Sequence, residues 1–184
     1  MTNSFSTAAL LQRLRSSHLQ TATGSCCEEE TVALFSNLRK PLLRYLSTFG
    51  LAAHDAEEIV QEAFLALFEH LKRGKSRSNL QGWIFRVCHN MALKHISRAR
   101  IRTGVITLQA DASPTPEELV VEAQRRERLQ AVLQALPEQD RYCVCLRAEG
   151  LRYREIAEIL GISLGSVSIS LARSLARFER ADQK

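Results

Sequence analysis

Apolar residues recur at three- and four-residue intervals along most of this chain, and no stretch alternates for long enough to specify a strand. Val32, Phe35, Leu38, Leu42, Leu43, Leu46 and Phe49 form one stripe, which predicts a helix from about Glu29 to Phe49, kinked or divided at Pro41 and ended by Gly50. Ala56, Ile59, Val60, Ala63, Leu67 and Leu71 predict a second helix over about Ala53–Lys72. A basic loop, Arg73–Ser78, is expected to be flexible. Asn79 is placed to cap a third helix, about Leu80–Arg102, with Trp83, Ile84, Val87, Met91 and Ile96 inward. The pattern stops over residues 104–116, where Asp111-Ala112-Ser113-Pro114-Thr115-Pro116 has the composition of a linker. It resumes at about Glu117. Leu129, Val132, Leu133 and Leu136 make a stripe that ends at Pro137, and a further helix spans about Glu138–Glu149 with Gly150 as its stop. Residues 1–27 read as a weakly ordered N-terminal extension. The expected fold is all-α: two small helical domains, 28–103 and 117–184, joined by a flexible linker.

The segment Arg152–Phe178 carries the most specific local pattern. Ile156, Ala157 and Leu160 form the inner face of one helix, Gly161 supplies a turn that favours a left-handed backbone, and Ser163 can cap the next helix. Val167, Leu171, Leu175 and Phe178 then follow at four, four and three residues and are expected to face inward. This is the sequence form of a helix-turn-helix, whose second helix enters the major groove of DNA. Its outward positions are expected to be Gly165, Ser166, Ile169, Ser170, Arg173 and Arg177. Small and hydroxyl-bearing side chains near the helix start would lie closest to base edges. Arg173 and Arg177, with Arg152 and Arg154 on the preceding helix, are candidates for phosphates.

Charge changes the picture in the first half. Between Lys72 and Arg102 stand nine Lys and Arg residues and no Asp or Glu, whereas Tyr45–Leu71 holds five acids and no Lys or Arg. Asp55, Glu58, Glu62 and Glu69 recur at helical spacing and are expected to share one outward face. Adjacent helices of opposite sign suit two partners of opposite charge, one polyanionic and one a basic protein surface. The net charge of +5 on 184 residues agrees with nucleic acid as a partner.

Other chemistry is sparse. The five cysteines are odd in number and lack the spacing of a disulfide framework, and Cys143 and Cys145 lie about 200° apart on a helix, too far round to share a metal. Buried thiols are expected, with Cys26-Cys27 in a flexible segment as the one candidate for redox activity. His18, His54, His70, His89 and His95 form no ligand set with a Cys or carboxylate. Neither a nucleophile motif nor a phosphate-cradling Gly loop is present, so no catalytic residue, cofactor or metal is expected. No apolar run is long enough to span a bilayer and the first residues do not read as a signal peptide, so a cytoplasmic protein without membrane insertion is expected.

Two separated stretches resemble one family. Asp55-Ala56-Glu57-Glu58-Ile59-Val60-Gln61-Glu62-Ala63-Phe64 resembles the signature of sigma-factor region 2, and Gly82-Trp83-Ile84-Phe85-Arg86-Val87-Cys88-His89-Asn90-Met91-Ala92 looks like its promoter-melting part. Leu136-Pro137-Glu138-Gln139 followed by the helix-turn-helix resembles region 4. With only a linker between, the layout is similar to the extracytoplasmic-function (ECF) group of the sigma-70 family. The resemblance implies a promoter-specificity subunit. Asp55, Glu58, Gln61 and Glu62 would dock on the clamp helices of core RNA polymerase. Lys75, Arg77, Ser78 and Asn79 would lie near an extruded base of the −10 element, and Arg86, Asn90, Lys94, Arg98 and Arg100 would follow the strand. Arg152, Arg154, Ser163, Ser166, Ile169, Ser170, Arg173 and Arg177 would serve the −35 duplex, and region 4 would touch the polymerase flap. An anti-sigma factor is a further implied partner. The chain departs from the family pattern at His89, Lys94, Ser168 and Ser170. The alternative is a helix-turn-helix regulator that binds DNA without polymerase, for which the acidic stripe would have no use.

Overall fold

In a computed structural model, residues 22–103 and 120–182 are described, with side chains over 26–98 and 127–182. The chain divides into two compact units, one before residue 110 and one from residue 110 onward. The first holds α1 (Ala22–Ser47), α2 (Ala53–Lys72) and α3 (Leu80–Thr103). The second holds α4 (Val120–Gln134), α5 (Glu138–Ala148), α6 (Tyr153–Leu160) and α7 (Leu164–Asp182). Among the described residues there is no strand. The expected linker and the first 21 residues of the expected extension lie outside the described residues.

The first unit is three helices packed pairwise around one core. Leu42, Tyr45 and Leu46 from α1, Val60, Ala63, Phe64 and Leu67 from α2, and Ile84, Phe85, Cys88 and Ala92 from α3 are fully buried. Aromatic rings fill its centre: Phe35 meets Phe64 edge-on at 5.0 Å, and Tyr45 meets Phe49 edge-on at 5.4 Å. α2 has the expected bounds, and all six residues placed on its inner face are buried. α1 begins earlier than expected and continues through Pro41 as one helix. It takes in Cys26 and Cys27, whose segment was expected to be flexible; Cys27 is buried and Cys26 exposed.

α3 is rotated relative to the expected face. Ile84, Phe85, Cys88, His89 and Ala92 are buried, and Trp83, Val87, Met91 and Ile96 lie at the margin. The His89 ring explains the rotation. Its Nδ1 is hydrogen-bonded to the Tyr45 hydroxyl at 2.7 Å inside the core, so a residue counted as polar occupies an inner position. Burial pushes this imidazole down to about 4.

The second unit buries Leu136, Tyr142, Cys143, Leu146, Leu151, Ile156, Ile159, Val167 and Leu171. α6 ends at Gly161, whose φ of 65° is the left-handed conformation that the turn requires, and the Ile162 amide donates back to the Ala157 carbonyl at 3.1 Å. The Ser163 hydroxyl accepts from the Ser166 amide at 3.1 Å and so caps α7. α6 and α7 meet at 106°, within the range of a helix-turn-helix.

Candidate polymerase and nucleic-acid surfaces

The three candidate surfaces sit on α2, on the loop and outer face of α3, and on α6–α7. On α2, Glu58 and Glu62 are exposed one helical turn apart, with Asp55 half-buried beside them and 3.8 Å from His95 Nε2. Gln61 departs from expectation: it is 8% exposed and belongs to the packed side of α2. Glu57 is half-buried in an ion pair with Arg39 that ties α2 to α1. The outward acidic face is therefore Glu58 and Glu62, extended by Asp55 and, two turns on, Glu69.

The loop from Arg73 to Asn79 is exposed, and several hydrogen bonds run along it. Gly74 takes a φ of 65°, and the next amide, of Lys75, donates to the His70 carbonyl at 3.3 Å. His70 Nε2 donates to the Ser76 carbonyl at 2.9 Å, and the Ser76 and Ser78 hydroxyls are 2.7 Å apart. Asn79, itself at φ 53°, caps α3 as expected: its Oδ1 accepts from the Gly82 amide at 3.0 Å. A Cβ on residue 82 would come within 2.5 Å of the Asn79 side chain, which accounts for glycine there. Trp83 stays half-buried, with its ring 4.8 Å from His70.

Three of the loop's four candidate residues are already engaged, Ser78 through the Ser76 hydroxyl. Asn79 spends its carbonyl oxygen on the cap. Arg77 is drawn to α1, where its Nε donates to Glu30 at 3.1 Å and its Nη2 lies 3.7 Å from Cys27 Sγ. Lys75 and Ser78 remain exposed. Along α3, Arg86, Asn90, Lys94 and Arg98 are all exposed at four-residue spacing and form one stripe. Four such positions span about 18 Å of helix axis. Arg100 falls on the same helix, but its side chain lies outside the described residues.

On α7 the inward face is Val167, Ser170, Leu171 and Ser174, whereas Leu175 is exposed. Ser170, expected to reach DNA, is 1% exposed. Buried hydroxyls are tolerated here because they find partners: Ser174 Oγ donates to the Ser170 carbonyl at 2.8 Å, and Gln139 Nε2 donates to Ser170 Oγ at 3.4 Å. Arg173 also departs from expectation. It grips Asp140 of α5 through Nε at 2.8 Å and Nη2 at 2.6 Å, and this pair was not foreseen. Asp140 has no exposed side-chain surface. Burial pushes its carboxyl up, but bonds from Arg173 and Ser170 outweigh that and hold it below the usual carboxylate range. Arg173 is thus a strut between α5 and α7. The hydroxyls of Ser163 and Ser166, 2.8 Å apart, are engaged in the cap. Arg152, Arg154 and Ile169 are exposed and Arg177 is half-buried.

Among the described residues, no group of three His, Cys, Asp or Glu side chains is placed to hold a metal ion. No single described helix is long and apolar enough to cross a membrane. Burial pushes the Cys88 thiol up and raises that of Cys145 to about 11, as in apolar packing positions.

The family described as Sigma-70 region 2 matches residues 34–101, and that described as Sigma-70, region 4 matches residues 126–178. One falls on each helical unit, and the chain belongs to the sigma-70 family. Proteins of this family are DNA-binding initiation factors, not catalysts. The named relatives point to the ECF group. The chain is 33% identical over 126 residues to the ECF RNA polymerase sigma factor SigE of Mycolicibacterium smegmatis, an alignment covering 65% of this chain and 49% of that protein. It is 26% identical to the ECF RNA polymerase sigma-E factor of Escherichia coli K12, over 65% of this chain and 70% of the relative. It therefore spans about half the length of SigE, and about a third of the probable RNA polymerase sigma factor RfaY of Xanthomonas campestris, where 32% is covered. Among solved structures, the sigma factor RpoE of Bartonella quintana in complex with the anti-sigma factor NepR superimposes with a TM-score of 0.63 at 20% identity, covering 81% of this chain and 96% of that one. CnrH in complex with the cytosolic domain of CnrY gives 0.58 at 19%, covering 94% of each. At these identities the likeness is one of fold.

Proposed function

We propose that this chain is a promoter-specificity subunit of bacterial RNA polymerase. It docks on core enzyme through the acidic face of α2, recognises a −35 duplex through α6–α7, and opens the −10 element along α3 and the loop before it. The observation that carries this reading is the division of charge within one three-helix unit. Glu58 and Glu62 are exposed on α2, and Arg86, Asn90, Lys94 and Arg98 line the outer face of α3. A protein that only gripped duplex DNA would gain nothing from an acidic face beside its cations, because that face repels phosphate. A protein that must hold both a basic protein surface and a displaced strand needs both.

Opening a duplex costs pairing and stacking energy, a few kcal/mol for each base extruded. Contacts to the freed strand offset it, and those contacts are cationic and tolerant of sequence along the backbone. The stripe on α3 supplies the backbone contacts, while Lys75 and Ser78 remain exposed in the loop for the extruded base. In this reading the chain acts in the cytoplasm, performs no bond chemistry of its own and takes no cofactor, since bond formation stays with the polymerase. An anti-sigma protein is its third partner, by extension from RpoE with NepR and CnrH with CnrY.

The test is to mix the purified chain with bacterial core RNA polymerase and genomic DNA fragments. Comigration with the core and transcripts from defined start sites are expected. Duplex binding without polymerase association would replace this reading with a stand-alone regulator.

A further inference from the structure

We propose that Ile169 reads the 5-methyl group of a thymine in the −35 duplex, so that base choice at that position rests on apolar contact rather than hydrogen bonding. This rests on the reading of α7 as the helix that enters the major groove.

The outward ridge of α7 is unusual for a groove-reading helix. Its centre runs through Gly165, Ile169, Ala172 and Ala176, at helical spacing and all exposed. Ile169 is 64% exposed, more than any other large apolar residue described. Its neighbours on the ridge end at Cβ or sooner, so the isoleucine branch stands out from the helix. The side chains that make paired hydrogen bonds to bases are Arg and Lys on guanine and Asn and Gln on adenine, and none of these occupies the ridge centre.

The polar groups beside the ridge are mostly committed elsewhere. Ser170 is buried, Ser163 and Ser166 are bonded to each other at the helix cap, and Arg173 is clamped to Asp140. Ser168 remains, with a single hydroxyl that serves any base as donor or acceptor. The remaining means of discrimination is shape and apolar contact. In the major groove the apolar group is the thymine methyl.

Charge complementarity commits the ridge to DNA rather than to another apolar surface. Residues 164–176 contain no Asp or Glu, and the exposed Arg152 and Arg154 stand at the start of α6; the exposed acids of this helix pair, Glu158, Glu179 and Asp182, fall outside that stretch. An apolar centre free of acids, with arginines at the start of the preceding helix, fits a groove floor between two phosphate backbones.

The test uses the full chain with core RNA polymerase and a duplex library randomised over the upstream element. The library is made in two versions, one with thymidine and one with deoxyuridine, which lacks only the methyl group. The thymidine library should enrich a thymine at a fixed position, and the deoxyuridine library should lose preference there while keeping the other positions. On single duplexes, one thymine-to-uracil change should weaken binding about four-fold, the worth of one buried methyl group. Ile169→Ser should bring the thymine-to-uracil ratio close to one without affecting polymerase association, and Ile169→Val should retain it. If both libraries yield the same motif with equal preference, the inference is wrong and the promoter-recognition reading stands. If neither library yields a motif, that reading fails and the inference fails with it.

Discussion

Two buried titratable groups, Asp140 and His89, set the residue scale. The Asp140 carboxylate has lost its water and keeps its charge through the Arg173 fork and Ser170. The pair is asymmetric, because the arginine side chain remains half in solvent while the carboxylate is wholly enclosed. Removing the arginine strands a buried charge, and removing the carboxylate frees an arginine that water can solvate. Arg173→Ala should therefore cost more stability than Asp140→Asn, read as the larger loss of amide-exchange protection in α5 and α7. Equal losses would contradict the strut. His89 gives a pH dependence. Its folded value of about 4 lies below the ordinary 6.5, so between the two the unfolded chain takes up a proton that the folded chain refuses. The stability of the first unit should then fall as pH drops from about 6.5 towards 4, by about 2 kcal/mol at pH 5. Trp83, the only tryptophan, reports that unit in urea unfolding. His89→Gln should show a smaller loss between pH 7.5 and pH 5, and an undiminished loss would assign the effect elsewhere.

At the scale of elements, the boundaries of α2, the cap of α3 and the turn of the helix-turn-helix were legible in sequence because local chemistry decides them: a run of stripe residues, one Asn, one Gly and one Ser. What was not legible is the rotation of helices about their own axes. On α7 the hydrophobic pattern pointed to Leu175 and left Ser170 outside. Ser174 donates to the Ser170 carbonyl one turn back and the Ser170 hydroxyl accepts from Gln139, so both hydroxyls are buried at little cost and the helix turns to suit them. His89 entered the packed side of α3 in the same way, through Tyr45, and Gln61 lies on the packed side of α2 without any rotation of that helix. Partnerships between elements were also invisible, since Asp140 and Arg173 are 33 residues apart and Glu30 and Arg77 are 47 apart. The second of these has a consequence for the −10 loop. While Arg77 is paired with Glu30 it is less available to phosphate. Glu30→Gln should release it, tightening single-stranded DNA binding and steepening the salt dependence by a slope of up to about 0.7, the value for one added phosphate contact. Unchanged affinity and slope would mean that the Glu30–Arg77 pair leaves when DNA arrives at no cost.

At the scale of the whole molecule, the chain joins two small helical units that carry different recognition chemistry. The second has an exposed apolar ridge on a helix pair turned through 106°, and the first has a cationic stripe on α3 and an acidic face on α2. In the proposed function these meet a duplex, a single strand and a protein in turn. The two-domain, all-α organisation and the charge division were both readable from sequence, because periodicity and charge sign survive small errors in helix rotation. In the proposed function, the acidic face of α2 is what separates a polymerase subunit from a solitary DNA-binding protein. The most direct measurement is core-polymerase association of the Glu58→Lys, Glu62→Lys double variant beside the unaltered chain, with helix content checked by circular dichroism. Both positions are exposed, so the fold should persist. Loss of polymerase association with retained helix content and retained duplex binding is the predicted result. Undiminished association of the folded variant would contradict the assignment of α2 as the docking surface.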